Sequence, residues 1–187
     1  MLMSFLLNID NYILHLLSSG IKNRFFDVVM PFISNLNNNG EIWIAIAIIL
    51  IINKKPQVRK IGIYMLAALA IGYILGEGLL KHLVERGRPI GDSYNFNFII
   101  KPPKSYSFPS GHTTSSFAAF GVCLFTHAKY RYWALVLAAA IALSRIYLHV
   151  HYPSDVLGGI ILGLISAKIA VSTGEKFFRK REAEEEV

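Results

Sequence analysis

Charged residues in this chain are gathered into short clusters, and between them run stretches of about 15–20 almost wholly apolar residues, near what a ~30 Å hydrocarbon layer requires. Only 17% of the residues are charged and 53% are hydrophobic, whereas soluble domains usually carry about a quarter charged residues. Four such stretches read as transmembrane helices. Ile61 to Leu80 ends at Lys81, and Thr113 to His127 continues an apolar helix begun near Ser110. Tyr132 to Leu148 is broken only by Ser144 and Arg145, and Val156 to Val171 only by Lys168. Phe25 to Leu36 and Glu41 to Ile52 are shorter, and predict either two short spans or a tilted, partly re-entrant hairpin.

Before them, Leu2, Phe5, Leu6, Ile9, Ile13, Leu16 and Leu17 share one helical face, with Asn8, Asp10 and Asn11 opposite. That spacing predicts an amphipathic helix lying in the membrane interface. The expected fold is all-α: one domain over residues 1–187, a polytopic transmembrane bundle of about six spans with an interfacial helix over 1–20. The acidic residues 182–187 read as a disordered tail.

The net charge of +7 does not point to nucleic acid, because the basic clusters flank apolar spans and form no recognition stripe. Lys54, Lys55, Arg59, Lys60, Lys129, Arg131, Lys176, Arg179, Lys180 and Arg181 all fall on one side, which the positive-inside rule makes cytoplasmic. The loop from Lys81 to Pro109 and the segment around His151 then face the periplasm or the extracellular side of a cell (inner) membrane. The N-terminus lacks the basic start of a cleaved signal peptide. A single cysteine, Cys123, permits neither a disulfide nor a Cys-based metal site within one chain.

Three patches of chemistry lie at helix ends on that non-cytoplasmic side: Lys81 to Pro89, Pro109 to His112, and Ser144 to Asp155. Charged groups beside an apolar span are costly, so their convergence implies a site. Lys81, Arg88 and Arg145 suit an anion with several oxygens, and the two arginine forks can bind phosphate oxygens in pairs. Ser110 begins a helix whose free N–H groups favour phosphate, and Gly111 lets the backbone approach closely. His151 and Asp155, four residues apart, meet on one face if their helix begins near Pro153 or earlier. A carboxylate on one ring nitrogen leaves the other lone pair free to attack. His112 is placed to protonate a leaving oxygen and later to activate water.

These residues resemble the type 2 phosphatidic acid phosphatase family, whose signature is K-x6-R-P, P-S-G-H and S-R-x5-H-x3-D. Lys81, Arg88 and Pro89 match the first part, Pro109 to His112 the second, and Ser144, Arg145, His151 and Asp155 the third. The resemblance covers Lys81 to Asp155 and implies His151 as nucleophile, forming a phosphohistidine, Asp155 as its orienting carboxylate and His112 as general acid. It also implies a phosphate cradle of Lys81, Arg88, Ser110, Gly111 and Arg145, with no metal or other cofactor. The expected substrate is a membrane lipid carrying a phosphate or diphosphate, such as undecaprenyl diphosphate, lipid A 1-phosphate, phosphatidylglycerol phosphate or phosphatidate.

Other residues have plainer readings. His149 and His151 form a His-x-His pair that with Asp155 resembles a zinc site, but three neighbouring cations would repel a metal ion. Glu77 needs a partner within its apolar helix, most simply a structural hydrogen bond. Gly159 and Gly163 suit close helix packing. Tyr94, Phe96, Phe98, Ile99, Lys101, Pro102, Pro103, Lys104 and Tyr106 suit either headgroup contact or an ordinary interfacial loop. Two rivals from other classes are a non-catalytic binder or transporter of anionic lipids, which would leave His151 and Asp155 idle, and vanadate-dependent peroxidase chemistry, against which the spans argue.

Overall fold

The computed structural model describes residues 2–20, 22–89, 99–101 and 103–185, and among these every regular element is helical. Helix α1 covers Leu2–Gly20, α2 Arg24–Asn35 and α3 Glu41–Ile51, the last entered through a short 3₁₀ turn at Asn38–Gly40. Helix α4 runs over Pro56–Val84, α5 over Gly111–Phe125, α6 over Arg131–Tyr147 and α7 over Pro153–Glu185. Pro56 and Pro153 each occupy the first turn of their helix, where a missing N–H costs nothing. Of these helices, α4 and α7 are long and apolar enough by themselves to cross a bilayer. At 1.5 Å per residue, α2 and α3 reach only about 16–18 Å.

Helix α5 is the centre, packed against α4, α6 and α7, while α3 packs on α4, α2 on α6, and α1 against the start of α7 and the end of α6. The contacts are made by small side chains. Ala68, Ala118, Ala119, Ala138 and Ala167 are fully buried, whereas Ile49, Ile74, Trp133, Val136 and Leu143 point outward and are more than half exposed. Large apolar residues outside and small ones at the helix seams suit a lipid solvent, where association relies on close van der Waals packing. The seam between α5 and α7 brings backbone against backbone. A Cβ at Gly163 would stand 2.6 Å from the Thr114 carbonyl oxygen and 2.7 Å from the Ala118 nitrogen, and one at Gly159 would stand 2.8 Å from the Ser110 carbonyl.

Two features differ from the sequence reading. The acidic end expected to be disordered is helical through Glu185, and Lys60 on α4 pairs with Glu182 at 2.6 Å. Side-chain pairs four apart, Glu175–Arg179 and Lys180–Glu184, support that extension. In α1 the apolar Leu6, Ile9 and Leu16 are exposed, but Asp10, read as part of a polar face, is buried against the bundle. The Leu2, Phe5 and Leu17 side chains lie outside the described residues. About 27 residues of α7 separate Asp155 from Glu182, so the two ends of the bundle stand ~40 Å apart. One pole carries Lys60 and Glu182, and the other carries all three chemical patches.

Candidate active site

The second pole is built from the end of α4, the starts of α5 and α7, and the end of α6. Between Ile74 and Leu80 helix α4 widens into a π-helical turn, so that the Lys81 N–H donates to the Gly76 carbonyl five residues back. Such wide turns cluster at functional sites. This one turns Lys81 inward, where its ammonium pairs with Glu77 at 2.7 Å and donates to Ser105 Oγ at 3.2 Å. Glu77 thus has the partner its position required. Its Oε1 also lies over Gly111, 2.5 Å from where a Cβ would stand, so a larger residue there would have to displace the Glu77 carboxylate.

Arg88 holds two segments together. Its Nε donates to the Ser105 carbonyl (2.8 Å), Nη2 to the Tyr106 carbonyl (3.1 Å), and Nη1 to the Val150 carbonyl (2.6 Å). The same Nη1 lies 3.1 Å from His151 Nε2. A guanidinium has no acceptor, so in that contact Nε2 carries the lone pair and the neutral ring keeps its proton on Nδ1. Nδ1 faces Asp155 Oδ2 at 3.5 Å. His151 is 2% exposed and lies in the turn between α6 and α7. Burial pushes its imidazole down to about 4, with Arg88 and Arg145 acting in the same direction and the hydrogen bond with Asp155 opposing them. The ring is therefore neutral at physiological pH with its lone pair on Nε2, facing Arg88.

Asp155 is completely buried and fully engaged. Oδ2 accepts from the Tyr152 N–H (2.9 Å) and from the Ser107 hydroxyl, while Oδ1 accepts from Arg86 Nη1 (2.7 Å). Reaching back to Tyr152, it also caps the first turn of α7. The Ser110 N–H donates to the Asp155 carbonyl at 3.1 Å, which joins the start of α5 to the start of α7. His112 is held from α2's end: Asn37 Nδ2 donates to the His112 carbonyl (2.9 Å) and to Ser115 Oγ (2.8 Å). Arg145 is 3% exposed and donates through Nη1 to Ser34 Oγ.

Lys81, Arg88, Gly111, His112, Arg145 and His151 all line one cavity of about 820 Å³, whose other walls are the Asn37–Glu41 turn and apolar residues including Ile44, Leu66, Leu69 and Tyr73. Three buried polar atoms of these residues have no hydrogen-bond partner among the described residues: Asn37 Oδ1, His112 Nε2 and Arg145 Nε. Of the eight residues singled out by sequence, Ser110 and Asp155 lie one layer behind the wall. Ser110 is fully buried, and its Oγ accepts from Thr113 Oγ1 at 2.9 Å. His149 does not line the cavity. Pro103 and Ser105 do, while Tyr94, Phe96, Phe98 and Pro102 lie outside the described residues.

Sequence reasoning passed over Ser34, Asn37, Arg86, Ser105 and Ser107. Arg86 sits inside the K-x6-R-P stretch and Ser107 three residues before Ser110, so proximity to the motifs was the only available signal.

The sequence profile of the PAP2 superfamily matches residues 61–179, which include all three patches. The chain belongs to the PAP2 superfamily. Among its PAP2 relatives, the undecaprenyl-diphosphatase of Sulfolobus acidocaldarius is 33% identical over 138 residues, covering 72% of this chain and 64% of its own. Phosphatidylglycerophosphatase B of Bacillus subtilis is 33% identical over 132 residues, covering 65% and 62%. This PAP2 chain thus matches less than two thirds of the length of these curated relatives. The crystal structure of a transmembrane PAP2 type phosphatidylglycerolphosphate phosphatase from Bacillus subtilis matches with a TM-score of 0.72 and 27% identity, over 90% of this chain and 86% of that one. Together with the outward-facing apolar surface, these likenesses make the PAP2 chain an all-helical membrane protein.

Proposed function

We propose that this protein hydrolyses a phosphate monoester or diphosphate on a membrane lipid through a phosphohistidine on His151. The observation that carries the reading is the neutral His151, its Nε2 lone pair among Arg88, Arg145 and Lys81 on a cavity that also has an apolar wall. In the first step Nε2 attacks phosphorus, the bond from phosphorus to the lipid oxygen breaks, and His112 delivers its Nε2 proton to that oxygen. In the second step His112 takes a proton from water, the hydroxide oxygen attacks phosphorus, the N–P bond breaks, and inorganic phosphate leaves. Asp155 holds Nδ1–H and stabilises the cationic ring as the bond to phosphorus forms. Lys81, Arg88, Arg145 and the start of α5 at Gly111 hold the phosphoryl oxygens and the charge of the transition state, and Ser110 supports that turn from one layer behind the wall. The partnerless His112 Nε2 and Arg145 Nε are the atoms that a phosphoryl group would satisfy.

In this reading about six segments traverse a cell (inner) membrane, α1 lies in its interface, and the site opens to the periplasmic or extracellular side. The separation of the basic pole from the site pole by ~40 Å supports that orientation. Relatives are named for undecaprenyl diphosphate, phosphatidylglycerol phosphate and lipid A 1-phosphate, and the proposed partner is one of these lipids or phosphatidate. The test is His151→Ala in the full chain, assayed against these four lipids in detergent micelles. Phosphate release should fall below about one-thousandth of wild type with thermal unfolding unchanged, and the wild type should yield an acid-labile radiolabelled adduct that the variant lacks. Wild-type turnover by His151→Ala would refute the mechanism.

A further inference from the structure

Asp10 lies on α1, outside the stretch that matches the PAP2 profile, and is 2% exposed. Its Oδ2 accepts from Arg86 Nη2 (2.6 Å) and from the Ser154 hydroxyl (2.5 Å), and its Oδ1 accepts from the Ser154 N–H (2.9 Å). It therefore supplies an acceptor to the first turn of α7, whose N–H groups have no partner inside the helix. The other prong of the Arg86 fork, Nη1, donates to Asp155 Oδ1 at 2.7 Å and to Ser154 Oγ at 2.6 Å. The guanidinium also stacks on the Tyr152 ring, 4.2 Å from its centroid. A guanidinium is a rigid plane, so fixing Nη2 on Asp10 fixes the direction in which Nη1 meets Asp155. Asp155 in turn faces His151 through Oδ2.

We infer that Asp10, acting through Arg86 and the first turn of α7, is a positioning residue for the Asp155–His151 pair. The inference rests on the phosphohistidine reading above. Two buried carboxylates share one guanidinium here, so the charges at Asp10 and Arg86 reach His151 with opposite signs. The groups that face His151 are Asp155 from α7, Arg88 from the segment after α4, Arg145 from α6 and His112 from α5. Neutralising Asp10 leaves Arg86 less compensated and disfavours the imidazolium. Removing Arg86 leaves two carboxylates uncompensated and favours it.

The experiment uses the full chain in detergent micelles with undecaprenyl diphosphate labelled at its terminal phosphate. It measures kcat, KM, the rate of acid-labile adduct formation and the pH profile. Asp10→Asn should lower kcat and the adduct rate about tenfold with KM within about twofold, and Asp10→Glu should recover most of the loss. The acid limb of kcat/KM should move to lower pH in Asp10→Asn and to higher pH in Arg86→Gln. A purely structural salt bridge would lower thermal stability without these opposite movements. Wild-type kcat in folded Asp10→Asn, or acid limbs that stay put or move together, would overturn the inference. If Asp10→Asn does not fold, Ser154→Ala removes the bridging hydroxyl while keeping both charges. It should slow adduct formation about threefold, and an unchanged rate overturns the inference. Absence of any adduct in the wild type with each of the four candidate lipids would instead overturn the phosphohistidine reading itself.

Discussion

Replacing Gly163 by Ala adds one methyl group at the seam between α5 and α7. That Cβ would meet the Thr114 oxygen at 2.6 Å, the Ala118 nitrogen at 2.7 Å and the Phe117 carbonyl carbon at 2.9 Å. All three are backbone atoms, so no side chain can swing aside. Ordinary contact begins at 3.4 Å, which leaves the nearest pair 0.8 Å too close and forces the two helices apart by about that amount. Overpacking of this kind costs about 1–3 kcal/mol, and for a chain of this size that lowers Tm by about 3–10 °C. Trp43 is buried with its indole N–H on Ser116 Oγ of α5 (3.0 Å), so its fluorescence in detergent micelles follows the central helix during thermal unfolding. Gly159→Ala makes the same test nearer the site: its Cβ meets the Ser110 carbonyl at 2.8 Å, 0.6 Å short of ordinary contact. Displacing the start of α5 by that amount separates His112 from His151 and should cost about tenfold or more in kcat. Gly78→Ala is the control, because nothing stands within 4 Å of its Cβ. If Gly163→Ala unfolds within about 1 °C of wild type, where the estimate requires several, the account of the seam is wrong.

Two further outcomes follow from the site. In the proposed mechanism His151 attacks only when neutral, and its imidazole is pushed down to about 4, so activity lost on acidification should be lost well below pH 6. An acid limb of kcat/KM at or above the ordinary imidazole value of about 6.5 would contradict this. Glu77→Gln removes a negative charge 2.7 Å from Lys81 and directly over Gly111, and should tighten inhibition by orthovanadate on the order of tenfold. Weaker inhibition would mean that Glu77 serves to hold Lys81 in place rather than to oppose the anion.

Much of the candidate site was legible because its residues sit at fixed spacings near helix ends. Four residues bring His151 over Asp155, and the order of the three patches brings Lys81, Arg88, His112 and Arg145 to one cavity. What escaped was the polar shell behind it. Asp10 meets Arg86 across 76 positions and Ser154 across 144, and an acid on the polar side of an amphipathic helix reads as solvated. Asn37 reaches His112 across 75 positions, and nothing local marks it. The helix at the acidic end, which reaches Glu185, was hidden for a different reason. Its composition suggests disorder, yet Lys, Arg, Ala and Glu are strong helix formers, and Lys60, the partner of Glu182, is 122 positions away. Serine roles were the least legible, because a buried hydroxyl such as Ser107 is defined only by the carboxylate it meets.

The contact between Arg88 and His151 has one more consequence. The lone pair proposed to attack phosphorus is the one that already accepts from Arg88 Nη1. A nitrogen so engaged is a poor nucleophile until the guanidinium turns toward an incoming anion. Under the proposed mechanism the substrate's own oxygens would then be the trigger, unmasking the ring by drawing Arg88 to themselves. Such a latch would tie reactivity to occupancy and keep the imidazole quiescent toward electrophiles that bring no negative charge.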